Sequence, residues 1–149
     1  MILYKNTQYG KLLIIILSIC GLIPIVLFFI KIDDKPMQHW LILVVTSIFI
    51  ITLLLFYKLT ITISKEKIEA EFGIGLIKRT LNIKDINYDT IEEIKTPSYY
   101  GIGIRITPNG LLYNVKTGNA IKIKSNEKTF FIGTDDFEKI NSILIDLKK

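Results

Sequence analysis

The hydrophobic pattern of the chain falls into three regimes. Residues 12–30, LLIIILSICGLIPIVLFFI, and 41–57, LILVVTSIFIITLLLFY, are apolar runs without a charge. At about 1.5 Å per residue the first makes roughly 28 Å of helix, close to a hydrocarbon core of about 30 Å. Trp40 and Tyr57 bracket the second run as interfacial aromatics. The pattern predicts two membrane spans, at about 12–30 and 40–57. The short connector KIDDKPMQH makes them antiparallel neighbours. A cleaved signal peptide fits poorly: the first run is too long, no A-x-A-like site follows, and a second run comes at once. Gly21 and Pro24 lie inside the first span and predict a mild kink.

From Lys58 the period becomes two. KLTITIS puts Leu59, Ile61 and Ile63 on one face, and KIEAEF does the same with Ile68, Ala70 and Phe72. Such alternation marks half-buried antiparallel strands. Gly73 and Gly75 in FGIGL are followed by another strand pattern, IKRTLNI, so they read as a hairpin turn. Ile83 and Ile86 point inward, and YDTIEEIK is a further strand. In YYGIGIRITPNGLLYNV, Ile102, Ile104 and Ile106 share one parity and are expected on the core side. Gly101, Gly103, Arg105 and Thr107 share the other parity, with nearby tyrosine rings as candidates to cover the bare glycines. TPNG is a turn and LLYNV the returning strand. NAIKIKS and KTFFIG form a last pair, with Ile121 and Ile123 inward.

The final segment, DDFEKINSILIDLKK, has a period of 3.6. Phe137, Ile140, Ile143, Leu144 and Leu147 form one apolar stripe of an amphipathic helix expected to pack on the sheets. Asp135 and Glu138 suggest a capping box, with Asp136 as a further capping acid. The division is therefore 1–57, an N-terminal tail with a transmembrane hairpin, and 58–149, a mainly-β domain of about seven strands closed by a C-terminal helix.

Charge refines the placement. The net charge is +5, and fifteen of the nineteen Lys/Arg and twelve of the fourteen Asp/Glu follow residue 57. That mixture lacks the dense basic patch of a nucleic-acid binder and suits a domain beside an anionic membrane surface. Lys5, Lys11, Lys58, Lys65 and Lys67 flank one side of the spans, and Lys31 and Lys35 the other. The excess predicts a cell membrane protein with both termini in the cytoplasm. Neither span holds an ionisable residue, which argues against a proton relay or ion pathway.

Candidate chemistry is sparse. The single cysteine, Cys20, and the single histidine, His39, both belong to the membrane region. No disulfide, cysteine-based metal site or nucleophile–base pair follows from them. Ile19 before Cys20 argues against lipidation, and His39 beside Asp33 and Asp34 reads as a solvated loop residue. Glu92 and Glu93 straddle opposite strand faces. The chain is accordingly read as non-catalytic, without a cofactor or a metal. Arg79 shares the parity of Ile77, Leu81 and Ile83, which a strand bulge or a buried ion pair would explain.

The stretch YYGIGIRITPNGLLYNV followed by FFIGTDDFEKI resembles the bacterial pleckstrin-homology-like (PH-like) domain of small two-span membrane proteins. The matching positions are Tyr99, Tyr100, Gly101, Gly103, Ile104, Arg105, Thr107, Pro108, Gly110, Leu112, Tyr113, Asn114, Val115, Gly133, Thr134, Asp135 and Asp136. Ile102 and Leu111 stand where that pattern has aromatics. The resemblance implies a PH-like barrel and is nearly silent on activity. The expected function is a membrane-tethered interaction or scaffold module with a protein partner or a second copy. Anionic lipid-headgroup or small-ligand binding is the alternative. Tyr99, Tyr100, Arg105, Tyr113, Lys78 and Arg79 are the candidate binding residues. Arg105 either meets an anionic group or stacks on the tyrosines and braces the domain.

Overall fold

The computed structural model describes residues 1–30, 38–126 and 128–148. Lys31, Asp33, Asp34 and Lys35 of the connector, and Lys149, lie outside the described residues, so the charge count and the metal reading that used them do too.

The chain starts with a strand, β1 (Ile2–Tyr9), followed by α1 (Lys11–Ile30) and α2 (His39–Phe56). Both helices are long and apolar enough to cross a membrane. Most of their large side chains are exposed, so they are not the core helices of the fold. Helix α1 continues through Pro24, which is buried, and Gly21 lets Phe49 of α2 approach closely.

The β domain follows as β2 (Lys58–Ser64), β3 (Lys67–Phe72), β4 (Ile77–Asn82), β5 (Ile86–Thr96), β6 (Gly103–Thr107), β7 (Gly110–Asn114), β8 (Gly118–Ser125) and β9 (Lys128–Gly133), and ends in α3 (Phe137–Lys148). The first sheet has the order β1-β2-β3-β4 and the second β5-β8-β9-β7-β6. Ladder pairing among the described residues does not join the two sheets, so they face each other as layers and do not close into a barrel. The β7–β9 pair is parallel. All other pairs are antiparallel.

The stretch grouped with the hairpin as a tail is thus the edge strand of the first sheet, and it raises the described strands from about seven to nine. Strand β1 pairs with β2 along its length, and Tyr9 stands opposite Lys58. The Gly10 N–H donates to the Tyr57 carbonyl at 2.9 Å. The two-helix hairpin is therefore an insertion into the turn of a β-hairpin, and both of its ends enter the same sheet.

The core lies between the sheets. Leu59, Ile61, Ile63, Ile68, Ala70 and Phe72 meet Ile121, Ile123, Phe130 and Ile132, as the alternating pattern requires. Ile83 and Ile86 are buried at the crossing between the sheets. Ile140 and Leu144 of α3 close the core, with Phe137, Ile143 and Leu147 partly buried beside them. Asp136 stands at the N-cap position of α3, its carbonyl accepting from the Ile140 N–H at 3.1 Å, but the carboxylates before the helix are used elsewhere. The Asp136 carboxylate accepts hydrogen bonds from the Tyr4 hydroxyl at 2.7 Å and from Asn6, both in β1. The Asp135 carboxylate pairs with Lys116. These side chains hold the start of α3 to a strand and a loop, which offers more than a local cap at a helix that lies beside an edge strand.

Candidate functional site

Strands β5 and β6 occupy opposite edges of the second sheet, so residues 97–102 must cross it. They cross the face turned away from the core. The Asn114 amide donates to the Gly101 carbonyl at 3.1 Å, and a short 3-10 turn at Ser98–Tyr100 sets Tyr100 over that face. The result is a strap across the outer face of the sheet. Beside it lies a cleft of about 480 Å³. Leu112 and Phe131 form its apolar floor, with Thr107, Asn109, Thr129 and Lys95 around it. One wall holds the ion pair of Lys122 with Glu92, at 2.6 Å. An apolar floor with a few polar groups at the rim is the usual make-up of a binding cleft.

Isoleucine parity does not report this outer face. Ile106 is 89% exposed, whereas Thr107 is buried and bonds the Gly110 carbonyl at 2.8 Å. In register, Ile104 stands opposite Tyr113 on the core side, and Arg105 opposite Leu112 on the outer side. Leu112 is fully buried, so both faces of β7 are covered. Sequence held a signal for this: LL in LLYNV and FF in KTFFIG are consecutive apolar pairs, the mark of a strand covered on both faces.

The six candidate residues do not form one site. Tyr99 is 82% exposed and meets Tyr100 edge-on, with ring centroids 4.9 Å apart. Desolvation and the neighbouring Tyr99 raise the Tyr100 phenol above its ordinary value. Tyr113 belongs to the core, where its ring lies 6.3 Å from that of Phe72. It is therefore out of reach of Arg105, which lies on the other face. Tyr99 and Tyr113 do not cover the glycines: apart from chain neighbours, no atom lies within 4 Å of a Cβ built at Gly103, and the Arg105 guanidinium is what such an atom at Gly101 would meet. These glycines are needed for their backbone: φ is 70° at Gly101 and 104° at Gly103, a region that side chains disfavour.

Arg105 borders a smaller cleft of about 250 Å³ with Ile102, Gly103 and Ile104 on one side and Leu13 and Phe56, from the helix ends, on the other. No ion pair to Arg105 occurs among the described residues. Lys78 and Arg79 lie in the first sheet. Lys78 is exposed, opposite Glu71. Arg79 points to the core side, opposite the small Ala70, and its guanidinium lies 4.7 Å from the Phe130 ring centroid. Its odd parity is explained by this cation–π contact, neither by a bulge nor by an ion pair.

The chain matches no family model, no curated protein and no solved structure.

Proposed function

We propose that this chain is a membrane-tethered interaction module, in which α1 and α2 cross the cell membrane and the β domain receives a partner segment at its inner face. The observation that carries this reading is the strapped cleft on the second sheet, held on a domain whose two helices run directly into paired strands. A free hinge would let the cleft face any direction. The hydrogen-bonded junction at Gly10 and Tyr57 gives it a fixed posture toward the bilayer. The lysines near the helix ends support cytoplasmic termini, and the quoted motifs support a PH-like relationship. An extended segment crossing the cleft would lie over Leu112 and Phe131, with the polar rim fixing its register.

The test is site-specific photo-cross-linking in native membranes. A photoreactive residue at Asn109 or Lys95, on the cleft, is compared with one at Lys65, on the turn between β2 and β3. Adducts specific to the cleft positions support the module. Equal adducts at all three positions, or adducts from Lys65 alone, count against it.

Arg105 favours a second reading, recognition of an anionic lipid headgroup. It has no described acidic partner and sits beside Leu13 and Phe56, where the helices leave the domain. Binding of the full chain to vesicles of graded anionic lipid content, with Arg105→Ala beside it, separates the two readings.

A further inference from the structure

The turn between β3 and β4, Gly73 to Leu76, joins the β domain to the helix hairpin in an unusual way. The Ile74 N–H donates to the Leu54 carbonyl at 3.2 Å, and the Gly73 N–H to the Lys58 carbonyl at 2.9 Å. Leu54 lies in the last turn of α2, two residues before its end at Phe56 and about 3 Å along the axis at 1.5 Å per residue, inside the uncharged run 41–57. The contact is backbone to backbone. A side chain built at Gly73 would stand 2.1 Å from the Leu54 carbonyl oxygen and 2.5 Å from that of Leu55. Gly73 is what lets the turn lie flat on the helix.

The turn then presents apolar groups to the outside. Ile74 is 56% exposed and Leu76 is 75% exposed. Charge is close at hand: the Glu71 carboxylate lies over Gly75 on one side of the turn, and Lys78 stands opposite Glu71 in register. Just past the end of α2, Tyr57 pairs with Tyr9 at 6.3 Å between ring centroids, and Lys58 stacks on the Tyr57 ring. Aromatic and basic residues of this kind collect at the level of lipid headgroups. The bonds to Lys58 and Leu54 set the turn against the last helical turn, next to that level.

We infer that the β3–β4 turn is a third membrane contact, with Ile74 and Leu76 inserted among the acyl chains beside the end of α2. The inference rests on the reading of α1 and α2 as membrane spans. Its occupant is the lipid bilayer, because the exposed apolar pair continues the apolar surface of α2 at the depth of Leu54. Inserted on one side only, the turn is a wedge in the inner leaflet and stops the β domain from rocking about the helix–strand junctions.

The test uses the full chain in lipid vesicles, with Trp40→Phe as background so that one tryptophan reports at a time. Leu76→Trp reports the turn, Ile48→Trp the middle of α2, and Lys84→Trp the domain surface. Each is measured with and without lipids brominated on their acyl chains. Quenching of the Leu76→Trp emission by about twofold or more, with a blue-shifted maximum and an unquenched Lys84→Trp, is the expected result. Quenching of Ile48→Trp without quenching of Leu76→Trp overturns the inference and leaves the spans standing. Quenching of neither overturns both.

Discussion

At the scale of the residue, Tyr4 carries more of the fold than its place near the start of the chain suggests. It is buried, its hydroxyl donates to Asp136, and Lys139 lies over its ring. Desolvation and the Asp136 carboxylate push its phenol up to about 12. An acid raised in the folded state is held in its protonated form, so its contribution is complete below pH 10 and is lost as pH rises toward 12. Alkaline titration of stability should show that loss, and Tyr4→Phe should abolish it, at a cost of about 1 kcal/mol near neutrality for the hydrogen bond. Gly73→Ala is expected to cost more. Its φ of 52° and the carbonyls behind it admit no methyl group, and strain of this kind is worth roughly 1–3 kcal/mol. Denaturant unfolding in detergent measures both variants. At Glu69 the hydrogen bond from Lys67 holds the carboxyl below its ordinary value.

At the scale of the element, strict alternation was a sound guide wherever one face of a strand is buried and the other is wet. It located β2, β3 and β8, with Leu59, Ile61, Ile63 and Ile121 inward. The helix period likewise located α3. It failed at β7, where the strap covers the outer face and apolar residues are buried on both sides, and at the end of β6, where Ile106 is exposed although Ile104 packs on the core. Parity then says nothing about which isoleucine is inside. It also left out β1, because ILYKNTQY alternates weakly, with Asn6 and Gln8 on paired positions. The Gln8 amide donates to the Gly133 carbonyl at 2.8 Å, a long-range bond with no local signature. Two substitutions test the corrected assignment of β6 and β7. Ile106→Thr should change stability by less than about 0.5 kcal/mol, as exposed positions do. Leu112→Ala should lose about 2–5 kcal/mol, as a buried leucine does. The reverse order would mean that Ile106 is buried and the outer face of β7 is open.

At the scale of the molecule, the domain boundary moves. A cut before Lys58 removes β1, and with it the partner of β2 and the ring of Tyr4 from the core. A chain of residues 58–149 should therefore lack a cooperative unfolding transition. Because Gly10 and Tyr57 are hydrogen-bonded neighbours, residues 11–55 can be replaced by a short Asn-Gly linker that keeps Phe56. That chain should fold, with a strand-rich circular dichroism spectrum and a sharp thermal transition. Equal folding of both chains would show that β1 is dispensable. The candidate site was less legible than the fold. Tyr100 alone of the six candidates reaches the large cleft, since the floor residues Leu112 and Phe131 come from strands whose two-sided burial depends on the strap.

The pairing of β1 with β2 has a consequence for biogenesis. In a bilayer, the two strands meet only when the intervening segment has gone across and come back. If one helix failed to insert, β1 and β2 would be stranded in different compartments and the first sheet would stay open, with Leu59, Ile61 and Ile63 bare. On the proposed reading of α1 and α2 as spans, the β domain would proofread the topology of its own insertion: a mis-threaded chain would expose an unfinished sheet edge.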